Sequence, residues 1–109
     1  PDVIFLCVKG YSLESTYPII KSCAVKNTVI IPLLNGYGIN EKISKEFPDL
    51  TVLAGCIYIA ASVTEPGFIH LSSDIFKIVY GFLDGNPKDF LKLHLTLPKV
   101  ESLLFIQTI

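Results

Sequence analysis

The chain has no methionine and no arginine; its nine basic residues are all lysines, and the formal net charge is -1. The lysines are scattered rather than clustered, so the electrostatic footprint that would bind nucleic acid or an acidic membrane is missing. Cysteine is also scarce. Cys7, Cys23 and Cys56 are odd in number and lack metal or redox spacing, which favours a reducing cytosol as the compartment. No stretch approaches the roughly 18 apolar residues of a membrane span. Ser62 has no G-x-S-x-G elbow around it, so a hydrolase triad has no support. His70 has no Cys, His or carboxylate at metal spacing and reads as a strand histidine, which leaves no metal site to expect. The absence of methionine fits a trimmed or internal piece of a longer chain.

What is present is apolar: half of the 109 residues are hydrophobic, enough to bury one modest core. The runs VIFLCV (Val3 to Val8) and TVIIPLL (Thr28 to Leu34) are continuous rather than alternating, the pattern of strands covered on both faces in a parallel sheet between helices. A crossover between parallel strands needs about a dozen residues and usually takes helical form. Ser12 can cap that helix, and Leu13, Tyr17, Ile20 and Ala24 recur at helical spacing, although Pro18 opposes an unbroken helix. After the second run come Asn35-Gly36-Tyr37-Gly38 and a second helical stripe of Ile39, Ile43 and Phe47, ended by Pro48.

From Thr51 onward the character changes. TVLAGCIYIAASV is too long for one ordinary strand, and Gly55 within it signals a bend or a close backbone approach. Glu65-Pro66-Gly67 marks a turn, and FIHLS and IFKIVYG read as two further antiparallel strands with a turn at Ser72 to Asp74. Asn86-Pro87 starts a short helix to about Leu95, and SLLFIQTI is a last apolar run. The expected class is α/β, a mostly parallel sheet finished by antiparallel strands. Because Val3 to Val8 opens the chain with no earlier element to pair with, the fold is expected to begin partway, with an exposed sheet edge through which copies could associate.

In an open α/β sheet ligands bind outside the carboxyl ends of the strands. Lys9 directly follows the first run and Asn35 the second, so both stand at that edge, one crossover apart. Lys brings a compact cation with three donors, and Asn brings an amide donor and a carbonyl acceptor. Gly36 and Gly38 allow close backbone approach, and the helix start behind them exposes N–H groups. Spacing alone also allows the plain reading of a solvated strand end and turn glycines. Cys7 and Cys23 read as small core residues.

Four marks in order carry a resemblance: the strand ending in C-V-K, the N-G-x-G loop, a later Gly followed by Ala60-Ala61, and P-G-x-I-H. Over roughly Asp2 to Gly81 the chain resembles the cofactor-binding domain of the ketopantoate reductase (2-dehydropantoate 2-reductase) family. The resemblance implies a Rossmann-like domain and NADPH-dependent reduction of the keto group of ketopantoate to pantoate, toward pantothenate and coenzyme A. It implies that Lys9 and Asn35 line the nicotinamide and substrate side of the crevice, with Gly36 and the backbone around Ala61 bordering the cofactor. Related dehydrogenases of other 2-keto or 2-hydroxy acids, and a non-catalytic α/β interaction module, remain open beside it.

The family's G-x-G-x-x-G loop and its helical C-terminal domain are not in this sequence, and beyond Phe90 the tail departs from the family pattern. The expectation is therefore a partial NAD(P)-binding domain over residues 1–82 lacking its first βαβ half, a helix and divergent tail over 83–109, no catalytic residue of its own and no turnover alone.

Overall fold

The computed structural model describes residues 1–82 and the strand at 103–107. Strands β1 (Val3–Cys7), β2 (Val29–Pro32), β3 (Thr51–Val52) and β6 (Leu103–Gln107) form one sheet in the order β3-β2-β1-β6. All three pairings are parallel, with Val3 opposite both Val29 and Leu103. Strands β4 (Ala54–Glu65) and β5 (Phe68–Gly81) pair with each other alone, as a two-stranded antiparallel sheet. The parallel sheet with antiparallel strands is thus present, but the antiparallel pair stands as its own ribbon instead of extending the sheet.

Both helices, α1 (Tyr17–Cys23) and α2 (Ile39–Glu46), lie on one face of the sheet. There Ile4, Leu6 and Val8 of the first run and Ile30 of the second pack with Leu13, Ile20, Ile43 and Phe47. Crossovers of one hand, adding strands successively to one side, put their helices on the same face. The opposite face, Val3, Val29 and Ile31, is closed by Leu53 and by Tyr80 and Phe82 at the base of the ribbon. The continuous apolar runs are explained by these two layers, of which only one is helical among the described residues.

The first crossover is not the single helix expected from Ser12. Two 3-10 turns, Gly10–Ser12 and Glu14–Thr16, precede α1, and Pro18 falls in the first turn of α1. A proline there removes only an N–H that has no helical partner, so Pro18 starts the helix rather than breaking it. The apolar stripe survives the change: Leu13 and Ile20 are buried, and Tyr17 and Ala24 half-buried. Tyr17 packs edge-on against Phe47 at 5.4 Å, and burial, then Glu14 and Glu46, raises its phenol pKa. Lys21 and Glu46 tie the two helices by an ion pair.

Thr28 anchors the entry to β2. It is fully buried; its hydroxyl donates to the Pro1 carbonyl at 2.7 Å and accepts the Val25 N–H at 2.8 Å. Leu53 donates to the Ile30 carbonyl at 2.9 Å and ends the parallel pairing. Two residues on, β4 crosses the end of β2 so closely that a Cβ on Gly55 would lie 2.6 Å from the Pro32 carbonyl. That is the close approach the glycine signals.

Beyond Gly55 the ribbon runs into solvent, with Val63, Phe68, Ile69 and Leu71 more than half exposed. The register shifts between Ile59–Phe76 and Ala61–Leu71. Ser72 to Asp74 is therefore an excursion within one long strand and not a turn between two, because both halves of β5 continue along the same partner. The strand β6, inside the segment the sequence sets apart as a tail, pairs with β1. The edge of β1 that was expected to be exposed is covered by it. The helix expected from Pro87 to about Leu95 lies outside the described residues.

Candidate functional site

The carboxyl ends of β1 and β2 are held level by their register and by the Leu33 N–H, which donates to the Leu6 carbonyl at 2.8 Å. Beyond these ends the chain turns away on both sides. Lys9 is still extended and its carbonyl accepts the Ser12 N–H at 2.8 Å, closing the first 3-10 turn. On the other side Gly38 takes a left-handed φ of 70° as the residue before α2, a conformation that a side chain would disfavour.

A cleft of about 250 Å³ opens between the two turns, and Lys9 and Asn35 both line it. Both are exposed. The walls are mostly apolar: Val8 from the first run, Leu33 and Leu34 from the second, and Ile57 reaching in from β4. Gly10 completes the Lys9 side, and a Cβ built there would lie 3.9 Å from the Asn35 carbonyl oxygen, so the two turns nearly touch. The cleft is smaller than the roughly 300–1,000 Å³ of a complete ligand pocket. It suits one end of a ligand: a ring or carbonyl group set against apolar walls, with a cation and a carboxamide at the rim.

Gly36 adjoins Asn35, and a Cβ on it would press on the Ile39 side chain at 3.1 Å. Within the first turn of α2, the buried amide nitrogen of Asn40 has no hydrogen-bond partner. Ala61 is not brought to the cleft. It lies on exposed β4, four residues past Ile57, or roughly 13 Å further along an extended strand.

Cys7, read from the sequence as a core residue, is half-buried and lines the cleft; burial raises its thiol pKa. The period-two rule places it on the face opposite Leu6, a signal that was available but says nothing about a cleft. Ile57 was missed because its role depends on where Gly55 sends the ribbon. Gly10 was missed because a glycine after a strand looks like any turn. His70 sits exposed on β5 opposite Ser62. Among the described residues no three His, Cys, Asp or Glu side chains gather to hold a metal ion, and no helix is long and apolar enough to cross a membrane.

The family model described as ketopantoate reductase PanE/ApbA matches residues 1–85. The chain is 33% identical over 85 residues to the uncharacterized oxidoreductase YkpB of Bacillus subtilis (strain 168), covering 78% of this chain and 28% of that protein. It is 30% identical over 93 residues to a 2-dehydropantoate 2-reductase of Aquifex aeolicus (strain VF5), covering 84% of this chain and 30% of that protein. A 2-dehydropantoate 2-reductase structure from Porphyromonas gingivalis W83 superposes with a TM-score of 0.71 at 33% identity, over 98% of this chain and 37% of that one. A structure described as dimeric ketopantoate reductase from Staphylococcus aureus shares the fold, with a TM-score of 0.61 at 23% identity, over 98% of this chain and 34% of that one. The chain thus spans about a third or less of the curated relatives it matches.

Proposed function

The chain belongs to the ketopantoate reductase family, and on that premise we propose that its cleft forms the nicotinamide and substrate side of a site that reduces 2-dehydropantoate to pantoate with NADPH. The observation that carries this reading is the meeting of Lys9 and Asn35 over apolar walls at the ends of two adjacent parallel strands, the edge where open α/β sheets bind ligands. The donor set fits the group: a cation for an anionic keto acid, an amide that both donates and accepts, and a wall for a flat ring. A bound nicotinamide nucleotide would supply the hydride.

The chain's own residues would do the rest. Lys9 helps to position the reacting pair electrostatically. Asn35 holds the cofactor or substrate by hydrogen bonds, Gly36 lets the backbone come close, and Leu33 and Ile57 keep water from that end. An extended dinucleotide would have to leave the cleft along β4 to meet the backbone at Ala61. Residues 1–82, with the strand at 103–107 beside β1, are the part of the nucleotide domain this reading needs. The protein is proposed to work in the cytosol, without a metal ion, and to supply one half of the complete site.

The kinship with YkpB, an oxidoreductase whose name states no substrate, favours a second reading with another 2-keto or 2-hydroxy acid. Calorimetric titration of the 109-residue chain with NADPH, followed by an assay of nicotinamide absorbance with ketopantoate, tests the proposal. The expected outcome is weak binding without turnover. Absence of any binding refutes the nucleotide assignment, and turnover at an ordinary enzymatic rate refutes the half-site.

A further inference from the structure

Successive residues of β4 alternate between two faces, and its pairing with β5 carries that alternation across the ribbon. Gly55 opposite Tyr80, and Ile57 opposite Ile78, stand on the face turned to the body: Gly55 lies against Pro32, Tyr80 packs on the sheet, and Ile57 lines the cleft. The same face continues outward through Ile59, then Ala61 opposite Leu71, then Val63 opposite Ile69. None of these side chains carries a charge or a hydrogen-bonding group. The other face carries Tyr58 opposite Lys77 and Ser62 opposite His70. Exposure on the apolar face grows away from the body, from 41% at Ile59 and 55% at Leu71 to 67% at Ile69 and 73% at Val63. A two-stranded ribbon alone is marginal in water and needs a further layer on its apolar face. Among the described residues nothing supplies that layer, since β4 and β5 pair only with each other.

We propose that this face is closed by the same face of a second copy of the chain, as a weak two-fold dimer. A surface without charge or hydrogen-bonding groups offers nothing to a polar partner, and an identical apolar face matches it in chemistry. Two-fold pairing lets one patch serve both copies, with the two faces packed ~10 Å apart. The orientation follows from the body, which stands on the apolar side at the base of each ribbon. Parallel ribbons would bring two bodies into one space. Antiparallel ribbons set each tip beside the base of the other, with the bodies at opposite ends. The exposed stretch from Ile59 to Val63 gives an overlap of roughly 17 Å at ~3.4 Å per residue, two strands wide. That falls well short of the roughly 1,000 Å² of a stable interface, so the dimer forms only in concentrated solution. An extended dinucleotide on its way to Ala61 would cross the same face, and the dimer therefore belongs to the nucleotide-free chain.

Sedimentation equilibrium of the 109-residue chain without nucleotide, from about 1 μM to about 1 mM, spans the range in which a weak dimer forms. The weight-average mass is expected to rise from that of one chain toward that of two and to stop there. Val63→Lys and Leu71→Lys put a charge at exposed positions of the apolar face and should weaken association at least tenfold, with the circular dichroism of the parent. Ser62→Lys puts the same charge on the opposite face of the same strand and should leave association within twofold of the parent. If one apolar-face variant does not fold, the other still decides the matter against Ser62→Lys. A chain that stays monomeric through the whole range overturns the proposal and leaves the face to another part of a longer protein. Mass that grows past two chains, or equal weakening by all three variants, overturns it in favour of pairing along the edges of the ribbon.

Discussion

Replacing Gly55 by alanine probes the contact that joins the ribbon to the sheet. The added methyl would start 2.6 Å from the Pro32 carbonyl oxygen, 2.8 Å from Ile31 Cγ2 and 3.0 Å from Leu33 Cδ2. Ordinary carbon contacts lie near ~3.5 Å, so β4 would have to move away from β2 by roughly 1 Å. Ile31 is fully buried and the Pro32 carbonyl belongs to the central strand, so neither neighbour can rotate aside. Overpacking of this kind costs typically 1–3 kcal/mol, and a fixed backbone obstacle points to the upper end, about 3 kcal/mol. For a domain near this size that corresponds to a fall in melting temperature of roughly 12–24 °C. The assay is a reversible thermal melt of Gly55→Ala beside Gly10→Ala, whose Cβ meets nothing closer than 3.9 Å and which should not melt lower than the parent. A Gly55→Ala melt within about 2 °C of the parent, half the smallest shift of about 4 °C that 1 kcal/mol produces, would show that the strands do not cross tightly.

Other outcomes follow from the same structure. Thr28→Val removes two part-buried hydrogen bonds, from the Val25 N–H and to the Pro1 carbonyl; a typical hydrogen bond contributes about 0.5–1.5 kcal/mol, readable as a shift in the urea midpoint. Lys21→Ala breaks an ion pair whose side chains are 57% and 37% exposed, and should cost no more than about 1 kcal/mol in the same urea experiment. Cys7 and Tyr17 both have raised pKa values in the folded chain, so the neutral forms are favoured there. Stability is then fully present below the ordinary thiol value of about 8.5 and is lost as pH climbs through the raised ones. Melting temperature should fall from about pH 8.5 upward, with Cys7→Ser removing the first part of that fall; a profile unchanged by the substitution would count against the burial of the thiol.

The legible parts of the fold were those governed by local pattern. Val3–Cys7 and Val29–Pro32 were readable as buried parallel strands because continuous apolar runs fit few other places, and Ile39, Ile43 and Phe47 announced α2 through their spacing. Gly55 was readable as a close approach, though not what it approached. The 3-10 entry to α1 was hidden because Pro18 reads equally as a breaker or a first-turn residue, and only the surrounding turns decide. The pairing of β6 with β1 joins residues a hundred positions apart, and no local pattern encodes a partner at that distance. In the site, Lys9 and Asn35 were found by topology, since strand ends face one edge. Ile57 required the path of the ribbon, and Cys7, whose facing the period-two rule gives, required the position of the cleft; both are tertiary facts.

The proposed site depends above all on the meeting of Lys9 and Asn35 at one ligand. Backbone amide chemical shifts of the labelled 109-residue chain, followed through a titration with NADPH, measure that meeting residue by residue. Shifts are expected to concentrate at Lys9, Gly10, Asn35, Gly36 and Ile57, with the α1–α2 face around Lys21 and Glu46 unmoved. Shifts centred on that helical face, or none at any concentration of nucleotide, would contradict the proposed site.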